Sequence, residues 1–164
     1  MKELLQQYAA YNVWAHQTLS NRLSILTEAQ ITSEIISSFP SVYKTMVHLW
    51  QAESIWWQRL QQVEKFFVLS ETFNDSFSAL TQGLLNQSQQ WQQWVDGATE
   101  ADLNAQFAYV RNNQQFTIQV KDMLLHIFNH ATLHRGQLIT FLRQLGALEN
   151  IPSTDFATYC RVRQ

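Results

Sequence analysis

The stretch LLHIFNHATLHRGQL, residues 124–138, sets the reading of the chain. Leu124, Ile127 and Leu138, with Met123 just before them, recur at helical steps and mark the core face of a long helix. His126, His130 and His134 fall four residues apart in the same run. Positions four apart share one helix face, with Cβ atoms about 6 Å apart, so two such imidazoles can share a divalent metal. The plainer alternative is a polar stripe that faces solvent or bonds backbone carbonyls. Met123, Leu124, Ile127, Leu133 and Leu138 crowd the stripe and leave little exposed surface for that role.

Working outward, this helix is expected from about Val120 to Leu145, with Gly146 suited to end it. Gly136 inside it most simply permits close helix packing, and Arg135 either points to solvent or pairs with a carboxylate. A first helix is expected from about Lys2 to Leu26, on a stripe of Leu4, Tyr8, Tyr11, Ala15, Leu19, Arg22 and Leu26. A second begins at Ser38-Phe39-Pro40-Ser41, capped by Ser38 or Ser41. Its main face is Val42, Met46, Leu49, Trp50, Glu53, Trp56, Trp57 and Leu60. A third runs from about Ser76 to Val95 behind a cap at Asn74 or Asp75. Between it and the last helix, the β-prone runs 107–110 and 116–120 flank a polar stretch, which predicts a small hairpin. The tail from 147 is expected to be ordered only at its start. The sum is an all-α chain: one domain over residues 1–164, a four-helix bundle with long crossovers and a possible small β-hairpin before the last helix.

The composition fits that reading. Of 164 residues, 46% are hydrophobic and 13% aromatic, enough to fill a core. The net charge is −2, and Lys and Arg are scattered, which argues against an electrostatic grip on nucleic acid. No apolar run approaches the roughly 18 residues of a membrane span. The N-terminal stretch lacks the apolar core of a signal peptide, and Cys160 is the single cysteine, so a cytoplasmic protein is expected.

Familiar catalytic patterns are missing. There is no Gly-rich phosphate loop and no GxSxG elbow. The pair His130-Ala-Thr-Leu-His134 lacks the glutamate of the HExxH proteases, so hydrolysis is the less favoured chemistry. A metal-bound water of lowered pKa can itself serve as nucleophile. Three neutral imidazoles would leave a coordination position open, as reactive metal sites do. A fourth histidine, His48, lies 82 positions before His130, and only the fold can bring it near. His16 and Asn12 share a face of the first helix and are candidates to line a pocket. Trp50 and Trp57 read first as core residues, but beside a metal they would make an apolar pocket wall.

Three stretches together resemble the DinB family (DinB/YfiT-like proteins). They are Tyr11-Asn12-Val13-Trp14-Ala15-His16, Thr45-Met46-Val47-His48-Leu49 and, most specifically, Asn129-His130-Ala131-Thr132-Leu133-His134-Arg135-Gly136-Gln137. The resemblance covers nearly the whole chain and implies a four-helix bundle with a metal triad at His48, His130 and His134. His126 falls where relatives often carry histidine; the resemblance does not make it a ligand and leaves it a candidate for the pocket wall, while His16 stands where they often have asparagine. It also implies zinc or nickel, a low-molecular-weight thiol as co-substrate, a small-molecule electrophile and a homodimer. The expected activity is therefore a metal-dependent thiol S-transferase or related enzyme. The alternatives are a non-catalytic metal-binding stress-response protein and, more remotely, a partner-binding bundle without metal. With ordinary imidazole pKa values near 6.5, three histidine ligands would release metal somewhat below neutrality.

Overall fold

A computed structural model describes residues 1–163. In chain order the elements are α1 (Lys2–Leu23), α2 (Glu28–Thr32), α3 (Val42–Leu60), α4 (Leu69–Thr72), α5 (Phe77–Gly97) and α6 (Glu100–Asn104). They are followed by β1 (Gln106–Arg111), β2 (Gln114–Gln119), α7 (Val120–Gln144) and α8 (Phe156–Val162). The fold is all-α apart from the hairpin, and four long helices, α1, α3, α5 and α7, carry the core.

Local chemistry sets the helix ends. Ser41, not Ser38, caps α3 by accepting from the Lys44 amide, which leaves Pro40 outside the helix. Ser76 caps α5 through the Ala79 amide, while the neighbouring Asp75 takes the Ser76 amide; the expected caps Asn74 and Asp75 lie two and one residues too early. Gly146, at φ 70°, follows the end of α7. Its amide bonds the Arg143 carbonyl and the Ala147 amide bonds the Leu142 carbonyl, the pairing of a Schellman motif. Asn112 and Asn113, at φ 50° and 60°, form the two-residue hairpin turn, where asparagine tolerates left-handed backbone.

Two apolar clusters fix the helix directions. One holds Leu5 of α1, Trp56 of α3, Trp91 and Val95 of α5, and Val120 to Phe128 of α7. The other holds Leu19 and Leu23, Val42 and Met46, Leu80 and Leu84, and Leu138 to Leu142. So α1 and α7 run one way and α3 and α5 the other. Each long helix packs on two neighbours, in the order α1–α5–α3–α7 around the bundle. The passage from α1 to α3 therefore crosses a diagonal, as does that from α5 to α7. Between the parallel helices α3 and α5, residues 61–76 must travel back along the bundle, with α4 on the way. No helix among the described residues is long and apolar enough to cross a membrane.

Three expectations need correction. The inward stripe of α1 is Leu5, Ala9, Asn12, His16, Leu19 and Leu23; Leu4 is exposed and the helix stops at Leu23. Two polar residues on that face hid it from a hydrophobicity pattern. The tail is ordered beyond its start: α8 docks Phe156 and Tyr159 against Tyr8, Tyr11 and Trp14, and the Tyr11 hydroxyl donates to the Thr154 carbonyl at 2.7 Å. A Cβ at Gly136 would meet nothing, so that glycine serves no close packing. Close approach occurs at Gly83 instead, where any Cβ would collide with the Trp50 ring.

Candidate metal centre

α3 and α7 are bundle neighbours, and His48 on the first meets His130 and His134 on the second. Their Nε2 atoms converge: His48 to His130 and His134 to His130 are both 3.1 Å apart. Among the described residues these three side chains form a group placed to hold a metal ion. Burial first, then the charge of His134, pushes the His48 pKa down to about 4. Burial, then His134, His48 and His126, pushes His130 down to about 3. Burial also lowers His134, opposed by its bond to Gln137. All three rings are thus neutral near pH 7.

The donor set suits a divalent cation. The amide oxygen of Gln137 lies 2.7 Å from His134 Nδ1 and can only accept, so that nitrogen carries the proton and Nε2 presents its lone pair. His130 Nε2 faces two other ring nitrogens, yet a single proton on it could satisfy only one. A metal satisfies both. Two metal–nitrogen bonds of about 2.05 Å spanning that 3.1 Å separation enclose an angle of about 100°, between octahedral and tetrahedral values. Imidazole donors suit zinc, nickel or copper better than magnesium or calcium.

Phe39, in the loop before α3, stacks on His48 with ring centres 3.8 Å apart and sets its edge to His134 at 5.6 Å. Beside it opens a cleft of about 400 Å³ between α3 and the returning segment at α4. Its walls are Phe39, Tyr43, Val47, Phe73, His48, Gln51, Ser70 and Lys44. The wall is mainly apolar, with Lys44 its one fixed charge and a candidate ligand, His48, at its edge.

Asn12 and His16 lie elsewhere, in a buried polar ring drawn from all four long helices. Arg135 donates to Asn12 Oδ1 at 2.7 Å and approaches His16 Nε2 at 3.3 Å. Asn12 donates to Glu53 Oε1 at 2.8 Å, and the Ser88 hydroxyl donates to Glu53 Oε2 at 2.8 Å. With that proton committed, the 3.0 Å contact from His16 Nδ1 must be an N–H given to Ser88. The ring therefore runs in one sense on both arms, from a cation that only donates to a carboxylate that only accepts. Burial, then the Arg135 charge, holds His16 well below its ordinary pKa, so its 3.6 Å approach to Glu53 is not an ion pair. Burial lifts Glu53 to about 7 against its bonds to Asn12 and Ser88 and the pull of Arg135. Of the two options for Arg135, the structure takes the inward one, through Asn12 to a carboxylate.

The other pocket candidates are spread out. Trp50 packs on Gly83 and Phe73, and Trp57 sets its edge to Trp91; neither lines the cleft. His126 lies one turn before His130, rings 5.9 Å apart, against Trp56. The cleft residues Phe39, Lys44 and Phe73 carried no periodic signal and were not legible. Gln137 was missed too, although a local signal could have found it: it sits three after His134, on the same helix face.

A family model described as "DinB family" matches residues 1–162. The chain is also similar to "Protein DinB" of Bacillus subtilis (strain 168). The two are 28% identical over 166 aligned positions, which cover 91% of this chain and 89% of that protein.

Proposed function

The chain belongs to the DinB family, and we propose that it is a divalent-metal enzyme joining a low-molecular-weight thiol to a small electrophile. His48, His130 and His134 are the proposed ligands, with zinc or nickel as the metal. One observation carries the reading: three neutral ring nitrogens converge, and one of the three rings, His48, lines a mainly apolar 400 Å³ cleft. A metal held there would supply a fixed positive charge that favours a thiol's ionised, nucleophilic form.

The chain's own residues would do the rest. Gln137 holds the His134 proton on Nδ1 and keeps Nε2 free. Phe39 fixes the His48 ring by stacking and excludes water from one side. Tyr43, Val47 and Phe73 would receive the apolar body of the acceptor, and Lys44 would attract a leaving anion. With a chloro-aromatic acceptor, the sulfur–carbon bond forms, the carbon–chlorine bond breaks, chloride leaves and the thiol proton goes to solvent.

The test is thioether formation by zinc- and nickel-loaded protein, with a panel of thiols and chloro-aromatic or epoxide acceptors. Turnover above that of the metal-free protein is expected. Equal rates with and without metal for every thiol would end this reading. The Phe39 ring over two candidate ligands favours a second one, metal binding without catalysis. That reading expects tight metal binding and no change at the metal when thiol is added.

A further inference from the structure

One turn from the triad, positive charge gathers with no acid to meet it. The Arg59 guanidinium lies between two aromatic faces, 4.5 Å from the Trp56 ring centre and 4.9 Å from that of Tyr109. His126 sets its edge to the same Trp56 ring at 5.3 Å and lies 5.9 Å from His130. Arg111 is two residues past Tyr109 on β1, and alternate residues of a strand share a face, so it falls on the side that meets Arg59.

What is missing from this group is an acceptor. Among the described residues no Asp or Glu pairs with Arg59 or Arg111. The Nε atom of Arg59 is buried without a partner. A small cavity of about 190 Å³ opens beside it, lined by Arg59, Gln62, Val63, Phe66, Tyr109 and neighbouring hairpin residues. Stacking uses the faces of a guanidinium and leaves its in-plane N–H groups free. A planar fork of donors matches a carboxylate, which can accept two of them at once.

We infer that Arg59, Arg111 and His126 form a carboxylate subsite that holds the far end of a ligand whose thiol reaches the metal. This rests on the metal reading above and adds to it a ligand class: a thiol that bears a carboxylate. Arg59 and His126 grip the carboxylate at the inner end, and Arg111, at the exposed end of β1, draws it in.

The experiment compares 3-mercaptopropionate with its methyl ester, by calorimetry on the zinc-loaded protein, with zinc content measured in parallel. The acid is expected to bind about tenfold more tightly or better. The difference should vanish in Arg111→Gln and in Arg59→Gln, with zinc content unchanged. Arg111 is exposed at the hairpin turn, so its variant serves if Arg59→Gln disturbs the aromatic stack. Equal binding of acid and ester by the wild-type protein, or a preference that survives Arg111→Gln, overturns the subsite. If the protein holds no zinc or binds neither thiol, the metal reading fails by itself. Succinate added to the metal-free protein then decides. A shift of the Trp56 indole resonance that Arg111→Gln abolishes supports the subsite. No shift, or the same shift in the variant, overturns it.

Discussion

His134 and Gln137 face each other across one turn of α7, Nδ1 to Oε1 at 2.7 Å, and that contact decides which imidazole nitrogen is left for a metal. Removing it frees the ring to take the other tautomer and to rotate. Partners of this kind are worth about 10–100-fold in metal affinity. Gln137 is only half-buried, so Gln137→Leu should weaken zinc binding by about tenfold, the low end of that range. Competition with a chromophoric chelator measures it; an unchanged affinity would mean the contact orients nothing.

The lowered pKa values revise the acid behaviour expected from ordinary histidines. His48 near 4 and His130 near 3 remain neutral at pH 5, and His134 is shifted the same way. Protons therefore compete for His48 and His130 only in stronger acid. Between pH 7 and 5 the zinc affinity should fall far less steeply than the third power of proton concentration. A third-power fall beginning near pH 6.5 would show ordinary imidazoles. For the metal-free fold the sign is clear. A folded pKa below the unfolded value means stability fully present above about 6.5, and lost as pH falls toward 4 and 3. Glu53, raised to about 7, acts in the opposite sense: its contribution is present below the unfolded value and lost as pH rises through 7. Urea midpoints of Glu53→Gln against the parent, from pH 5 to 8, separate the two. The variant should lose the falling component.

The buried ring makes a second stability prediction. Glu53→Ala would leave the Arg135 guanidinium buried with no anion in its ring, and stranding a buried charge costs up to about 3–5 kcal/mol. Glu53→Gln should cost less. Its amide can still accept from Asn12 and can donate to Ser88, whose hydroxyl then turns to the Leu84 carbonyl, already 3.0 Å away. Denaturant unfolding at pH 8 tests the order. A Gln variant no more stable than the Ala variant would show that charge, not bonding, holds the ring.

Gly136 lies inside α7 with open space where a Cβ would stand. Gly136→Ala should stabilise the protein by about 0.5–1 kcal/mol through helix propensity and reduced unfolded-state entropy. Thermal unfolding would detect the gain; a loss would reveal a demand on that position unrelated to packing.

These variants also mark how much the chain disclosed. The α7 stripe, its end at Gly146, the Ser41 option for α3 and the hairpin were legible, because periodicity, capping and turn chemistry are local. So was the His130/His134 pair. The approach of His48 was not local, since it depends on α3 and α7 becoming neighbours; family resemblance supplied it. Phe39 and Lys44 were not legible because residues 61–76 build the cleft by returning along the bundle. Asn12 and His16 were misread as pocket lining because polar residues on an inward helix face look like a site until their partners are seen. Here Glu53, Ser88 and Arg135 come from three other helices.

The most direct measurement is a zinc titration of four single-alanine variants, at His48, His126, His130 and His134, against a competing chelator at pH 7. Affinity should fall strongly in His48→Ala, His130→Ala and His134→Ala, each of which removes one of three proposed ligands. It should change little in His126→Ala, whose ring rests on Trp56. If His126→Ala lost zinc while His48→Ala kept it, the site would be a stripe along α7 alone and the bridge between α3 and α7 would be wrong.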